Sequence, residues 1–164
     1  MDEGKVTHIG VISDTHMNRP TEQLTALMDG PFRGVEMILH AGDMTELTIL
    51  EAFSGKKVMA VCGNMDSAAV RQGLPGHRVF RAGFFRIGLI HGWGGPLGIE
   101  ERIAREFNGV DCIVYGHTHQ PSQREREGVF FFNPGSFGGG LGMSPRSVGL
   151  LNLGDSISAE IIYI

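Results

Sequence analysis

The sequence predicts an α/β (α+β) protein made of two packed β-sheets with helices outside. Three observations predict it. Up to residue 66, apolar runs alternate with amphipathic stretches as strand, helix, strand, helix, strand, which favours parallel pairing. Beyond residue 66, apolar runs pair across short turns, as antiparallel hairpins do. Strands also outnumber helices, so a single parallel sheet is a poor fit. At 164 residues the chain is read as one domain, 1–164, large enough for a real hydrophobic core.

The elements follow in order. Val6 to Ile12 is apolar and β-branched, a buried first strand. Pro20 suits the first turn of a helix over Thr21–Met28, with Leu24, Leu27 and Met28 on one face, closed by Asp29-Gly30-Pro31. Val35 to Leu39 is a second strand. A helix over Thr45–Phe53 follows, with Leu47, Leu50 and Phe53 expected inward. Lys57 to Cys62 is the third strand. Arg78–Arg81 and Phe85–Ile90 form a hairpin around Ala82-Gly83. Leu97–Phe107 reads as a helix with Ile99, Ile103 and Phe107 inward, ended by Asn108-Gly109. Val110–Tyr115 is a strand. Gln123–Arg126 and Val129–Phe132 make a hairpin, and its Arg/Glu alternation suggests a solvated face. Phe130, Phe131 and Phe132 cannot all face one way from a strand, so Phe131 or its neighbours must cover a second partner. After the glycine loop 138–140, read as mobile, Ser147–Leu153 and Ile157–Ile164 close the chain.

Composition is that of a globular protein: 41% hydrophobic and 20% charged residues. Net charge is −4 and no basic run tracks a phosphate backbone, which argues against long nucleic acid. No apolar run approaches the ~20 residues a membrane helix needs, and Met1-Asp2-Glu3-Gly4 lacks a signal peptide's basic start. The protein is therefore expected in the cytoplasm. Cys62 and Cys112 read as small buried hydrophobes.

Strand ends carry the chemistry. Asp14 and His16, Asp43, Asn64, His91, and His117 with His119 each follow a predicted strand, from five separate segments. Alone, each has an ordinary explanation: His16 as a loop histidine, Asn64 as a turn residue, Asp14 or Asp43 as a helix cap. Together, two carboxylates, one amide and four imidazoles suit divalent transition ions. They are too many for one ion and enough for two sharing a carboxylate, machinery that suits phosphoester hydrolysis. His40 is read as a packing histidine, His8 and His77 as exposed, and Asp66 as orienting a ligand or a loop. Asn133 and Ser136 are read as shaping a turn, and Arg71 or Arg146 as possible phosphate contacts.

Asp14-Thr15-His16, Gly42-Asp43, Gly63-Asn64-Met65-Asp66, His91-Gly92 and Gly116-His117-Thr118-His119 together resemble the calcineurin-like metallophosphoesterases. The short chain and Asn133-Pro134-Gly135-Ser136 with Pro145-Arg146 are similar to the small YfcE-type phosphodiesterase branch. The resemblance implies the metallophosphoesterase fold, a four-layer αββα sandwich of two mixed β-sheets flanked by helices. It implies that Asp14, His16 and His119 hold one metal, that Asn64, His91 and His117 hold a second, and that Asp43 bridges them. Asp43, Asn64 and His91 are also the expected catalytic residues. The cofactors would be two divalent ions, manganese foremost, with iron, zinc or nickel as alternatives. The implied reaction is in-line attack on a phosphodiester by a hydroxide held between the ions. The expected partner is a small phosphoester, with no membrane, and the chain is a candidate homo-oligomer, dimer or tetramer. Where many relatives carry histidines, this chain has Met65 and Trp93, neither of which transfers a proton. Three other readings compete: a phosphomonoesterase on the same centre, a non-catalytic scaffold like a retromer subunit, and a single structural zinc.

Overall fold

The computed structural model describes residues 7–139 and 145–164. Val6 of the first strand, Gly140 of the glycine loop and Met1-Asp2-Glu3-Gly4 lie outside the described residues. Ten strands form two five-stranded sheets. The first runs β10 (Ile157–Tyr163), β9 (Ser147–Leu153), β1 (Thr7–Ile12), β2 (Met37–His40), β3 (Lys57–Ala60). The second runs β4 (His77–Ala82), β5 (Phe85–Ile90), β6 (Cys112–Val114), β8 (Val129–Asn133), β7 (Ser122–Arg126). Both are mixed: β1, β2 and β3 are parallel, as are β5, β6 and β8, while antiparallel strands flank each set.

Side-chain alternation sorts the core into layers. Ile9, Val11, Met37 and Leu39 of the first sheet meet Ile87, Leu89, Cys112, Val114 and Phe132 of the second. The outer face of the first sheet, with Ile12 and Ile38, packs on Leu24, Leu27, Phe32, Ile49, Phe53 and Val70. The outer face of the second, with Ile90, Ile113 and Phe131, packs on Ile99, Ile103 and Phe107. Phe131 therefore covers the helical layer, while Phe130 and Phe132 point between the sheets. Each sheet also makes room for one ring from outside: a Cβ on Gly10 would lie 2.9 Å from the Phe32 ring, and one on Gly88 2.9 Å from Phe107.

The helices are shorter than their periodicity suggests. α1 covers only Glu22–Thr25 and tightens into a 3-10 turn over Ala26–Met28. Its cap is Thr21, whose hydroxyl accepts from the Leu24 N–H, so Pro20 stands before the helix and not in its first turn. Leu47–Phe53 is wholly 3-10, a winding that puts Leu47, Leu50 and Phe53 on one edge. Phe53 is buried as expected, but Leu47 is 38% exposed, and Ile49 is the other buried residue. α2 (Ala68–Gly73), capped by Ser67, has no counterpart in the sequence reading, because Val70 is its single buried residue. α3 spans Ile99–Ala104 and buries Ile99, Ile103 and, just beyond, Phe107. Among the described residues, no helix is long and apolar enough to cross a membrane.

The β7 hairpin is not simply solvated. Arg124 Nε donates to Glu100 Oε1 at 2.7 Å, and Arg126 reaches Glu100 Oε2 at 3.3 Å and also Glu101. Glu100 is buried on α3, so these arginines neutralise a carboxylate that would otherwise be stranded.

Candidate metal centre

The parallel strands of both sheets deliver their carboxyl ends to one place, and all seven candidate residues follow them. Backbone hydrogen bonds join the loops: Asp14 N–H to Gly42 O (3.0 Å), His16 N–H to Asp43 O (3.1 Å) and Gly116 N–H to His91 O (3.1 Å). Asp14, His16, Asp43, His117 and His119 all have positive φ, between 48° and 70°. Asp, Asn and His tolerate this left-handed region better than most residues, and such strain gathers where side chains must converge. The glycines beside them serve space as well as turning. A Cβ on Gly63 would collide with Asp43 Oδ1, and one on Gly116 would collide with Ser13 Oγ and come within 2.6 Å of Asp14 Oδ2.

Asp14 lies at the centre. Its Oδ2 accepts from Ser13 Oγ (2.5 Å) and from the His117 N–H (3.2 Å). Its Oδ1 is buried and, among the described residues, has no hydrogen-bond partner of good geometry. Around that oxygen stand His119 Nε2 at 3.1 Å, His16 Nε2 at 3.6 Å and His91 Nε2 at 3.9 Å. Asp43 Oδ2 lies 3.2 Å from His91 Nε2 and 3.9 Å from His16 Nε2, so it faces both sides of the cluster. Its Oδ1 accepts the Met65 N–H at 2.8 Å. Asn64 Oδ1 is 3.1 Å from His91 Nε2. Two compact groups result, Asp14/His16/His119 and Asp14/Asp43/His91, with Asp14 common to both.

Charge follows from this crowding. Burial raises the Asp14 pKa, but the close approach of the His119 and His16 rings and the field of His91 outweigh it and hold the carboxyl well below the usual range. For Asp43, burial is likewise outweighed by His91 and the Met65 N–H, and the net shift is down. His16 is raised by the nearby Asp14 carboxylate. Burial would lower His91, yet Asp43 and Asp14 raise it overall. The pocket holds two carboxylates ionised and draws positive charge toward them.

A supporting layer fixes these groups. His91 Nδ1 bonds Ala41 O at 2.7 Å and His117 Nε2 bonds Gly94 O at 2.8 Å. Each contact places the ring proton on the bonded nitrogen and leaves the other with a lone pair, as ligating histidines require. Asp66 accepts three backbone N–H groups: Asp43 (3.1 Å), Thr45 (2.7 Å) and Gly63 (2.7 Å). His40 is fully buried between Thr15 Oγ1 (3.2 Å) and the Gly42 N–H (3.1 Å), and burial lowers its pKa to about 4. Asn133 ties Gly116 O and Thr118 Oγ1, and Ser136 Oγ donates to Asp14 O. His8 and His77 are exposed, as read from the sequence. Arg146 is engaged elsewhere, with Nε on Phe137 O at 2.6 Å and its guanidinium over the Phe137 ring. Arg102 was not foreseen. It bonds the carbonyls of Trp93, Gly95 and Leu97, and an arginine on an amphipathic helix gives no sequence signal of such a role.

A two-sheet sandwich whose joined strand ends carry a His–Asp–Asn cluster is the architecture of the metallophosphoesterase family. The chain belongs to the calcineurin-like phosphoesterase superfamily, whose domain profile matches residues 8–156. It is 42% identical over 163 residues to a probable metallophosphoesterase of Methanothermobacter thermautotrophicus, covering 94% of this chain and 91% of that one. A 46-residue stretch is 46% identical to the phosphodiesterase YfcE of Escherichia coli K12, 28% of this chain and 25% of that protein. Among solved structures, Vacuolar Protein Sorting 29 from Cryptosporidium parvum shares the fold, with a TM-score of 0.75 and 23% identity over 97% of this chain and 98% of that one.

Proposed function

We propose that this chain is a cytoplasmic phosphodiesterase that works with two divalent metal ions. The observation that supports it best is Asp14 Oδ1, buried and without a hydrogen bond while three imidazole nitrogens stand within 3.9 Å. A buried carboxylate oxygen is stable in that state when a cation completes it. The donor set fits manganese foremost, with iron, zinc and nickel also suited. Asp14, His16 and His119 would hold one ion, Asn64, His91 and His117 the other, and Asp43 would bridge. Bound ions of this kind polarise a phosphoryl oxygen and acidify water.

The chain's own residues do the rest. Asp14 and Asp43 remain ionised because their pKa values are held down. Burial of Asp14, Asp43 and His91 keeps bulk water from screening them. Ala41 O and Gly94 O hold the His91 and His117 rings in orientation. Met65, 63% exposed, and Trp93, 42% exposed, border the site without a transferable proton. Esters with good leaving groups should therefore react best, and a shallow dependence of kcat/KM on leaving-group pKa would count against this.

The test is a panel of model phosphodiesters and phosphomonoesters assayed with Mn²⁺ and other divalent ions, with bound metal counted by elemental analysis. Preference for monoesters would move the activity to the phosphomonoesterase reading. The scaffold reading draws support from the fold shared with the vacuolar sorting protein. If Asp43→Asn leaves metal content and hydrolysis unchanged, the scaffold reading replaces the catalytic one.

A further inference from the structure

Beside the centre lies a groove of about 320 Å³, continuous with it through Asn64 and His91. Trp93, His77 and Glu106 also line it. Among the described residues, no lysine or arginine lines it. Among the described residues, neither the His77 nor the Glu106 side chain has a hydrogen-bonded or ionic partner, although the His77 ring rests edge-on against Phe107. Gly76 opens the floor, since a Cβ there would meet nothing within 4 Å.

Trp93 is half out in solvent, yet its loop is held firmly. Arg102 Nε and Nη2 donate to Trp93 O at 3.1 and 2.8 Å, Nη1 donates to Leu97 O at 2.9 Å, and Nη2 also reaches Gly95 O. A guanidinium with all its nitrogens on one loop is a fixed clamp, so Trp93 is presented and not left to wander. A held aromatic face, a carboxylate and an imidazole with free hydrogen-bonding capacity suit a planar ring that carries N–H donors. The lack of any cation in the lining disfavours a second anionic group. The volume is at the lower end for small-ligand sites and takes one such unit, not a polymer.

We propose that this groove is the subsite for one alcohol of the phosphodiester, a substituent bearing a planar, N–H-bearing ring that stacks on Trp93. The inference rests on the phosphodiesterase reading, but its first test does not need turnover. Trp93 is the chain's single tryptophan, so intrinsic fluorescence reports directly on the groove. AMP, ribose 5-phosphate and inorganic phosphate are titrated separately into the wild-type protein. AMP should quench saturably, and the two phosphates without a ring should not. Equal quenching by all three, or none by AMP, overturns the subsite.

The second test compares two p-nitrophenyl diesters that share a leaving group, one esterified to adenosine and one to methanol. Trp93→Ala should lower kcat/KM for the adenosine ester about 5- to 100-fold more than for the methyl ester, the range expected for one stacked base. Trp93→Phe should restore part of that ratio. Equal losses on both esters would assign Trp93 a merely structural role. Failure of the wild type to cleave any diester would sink the phosphodiesterase reading, while the AMP titration would still judge the groove.

Discussion

The two halves of the centre are built differently. On one side, His16 and His119 approach Asp14 Oδ1 with side chains more than a quarter exposed, and their Nε2 atoms stand only 3.3 Å apart. On the other, His91 is buried, and both His91 and His117 have their far nitrogen tied to a backbone carbonyl. The first half gathers around a carboxylate and the second is held from behind. Prior orientation lowers the cost of binding, so the His91/His117 side should hold its ion more tightly and the His16/His119 side should exchange faster.

The largest test is Asp14→Asn. Because Asp14 holds the ion of His16 and His119 in the proposed assignment, that ion should be lost and hydrolysis should fall by more than about 100-fold, the upper loss usual for a mere supporting contact. Next, His117→Ala and His119→Ala should each empty mainly one position, read by elemental analysis. Loss of the same ion in both would erase the distinction between the halves. Asp66→Ala frees three backbone N–H groups behind Asp43 and Gly63 and should weaken metal affinity about 10- to 100-fold, measured by competition with a chelator. Arg102→Ala unclamps the loop that carries Gly94 O, so metal affinity should drop by up to about 10-fold on the His117 side and stay level on the other.

The smallest effect concerns stability and pH. His40 sits behind both halves with a folded pKa of about 4, against 6.5 when free. Between these values the unfolded chain takes up a proton that the folded chain refuses. Stability should therefore fall as pH drops from 6.5 to about 4 and level off below, by about 3 kcal/mol in all. Denaturant melts of wild type and His40→Gln should differ by that slope.

Most of the strands were legible as short apolar runs, and Thr7–Ile12, Phe85–Ile90 and Ser147–Leu153 fall where the apolar pattern puts them, while the polar β7 was legible from its hairpin turn. The helices were less so. α2 has one buried residue and thus no periodicity to find, and in the 3-10 segment Leu47–Phe53 the buried residues are Ile49 and Phe53, with Leu47 exposed. The seven site residues were legible as strand-end side chains of one chemical kind; six of them meet through side-chain contacts, while His117 lies outside both compact groups, with its ring centroid 5.3 Å from that of His91 and its Nε2 on Gly94 O. What backs them was only partly so: Asp66 and His40 could be suspected from position, but the Arg102 clamp depends on a loop bend that no spacing encodes. The Arg124 and Arg126 pairing with Glu100 was hidden for the same reason, since the partner lies on another element 24 and 26 residues away.

The cluster joins chain segments that are far apart: His16 meets His119 across 103 residues, and Asp14 meets the His117 N–H across the same interval. Closing so long a loop has an entropic cost that must be met by other contacts before those side chains can meet. Each sheet contributes part of the ligand set, so neither sheet alone presents a complete site. In the proposed reading, metal capture would therefore be a late event in folding. It locks a sandwich that has already docked, where a zinc finger's ion would nucleate the fold. Removing metal should raise the unfolding rate more than it slows refolding.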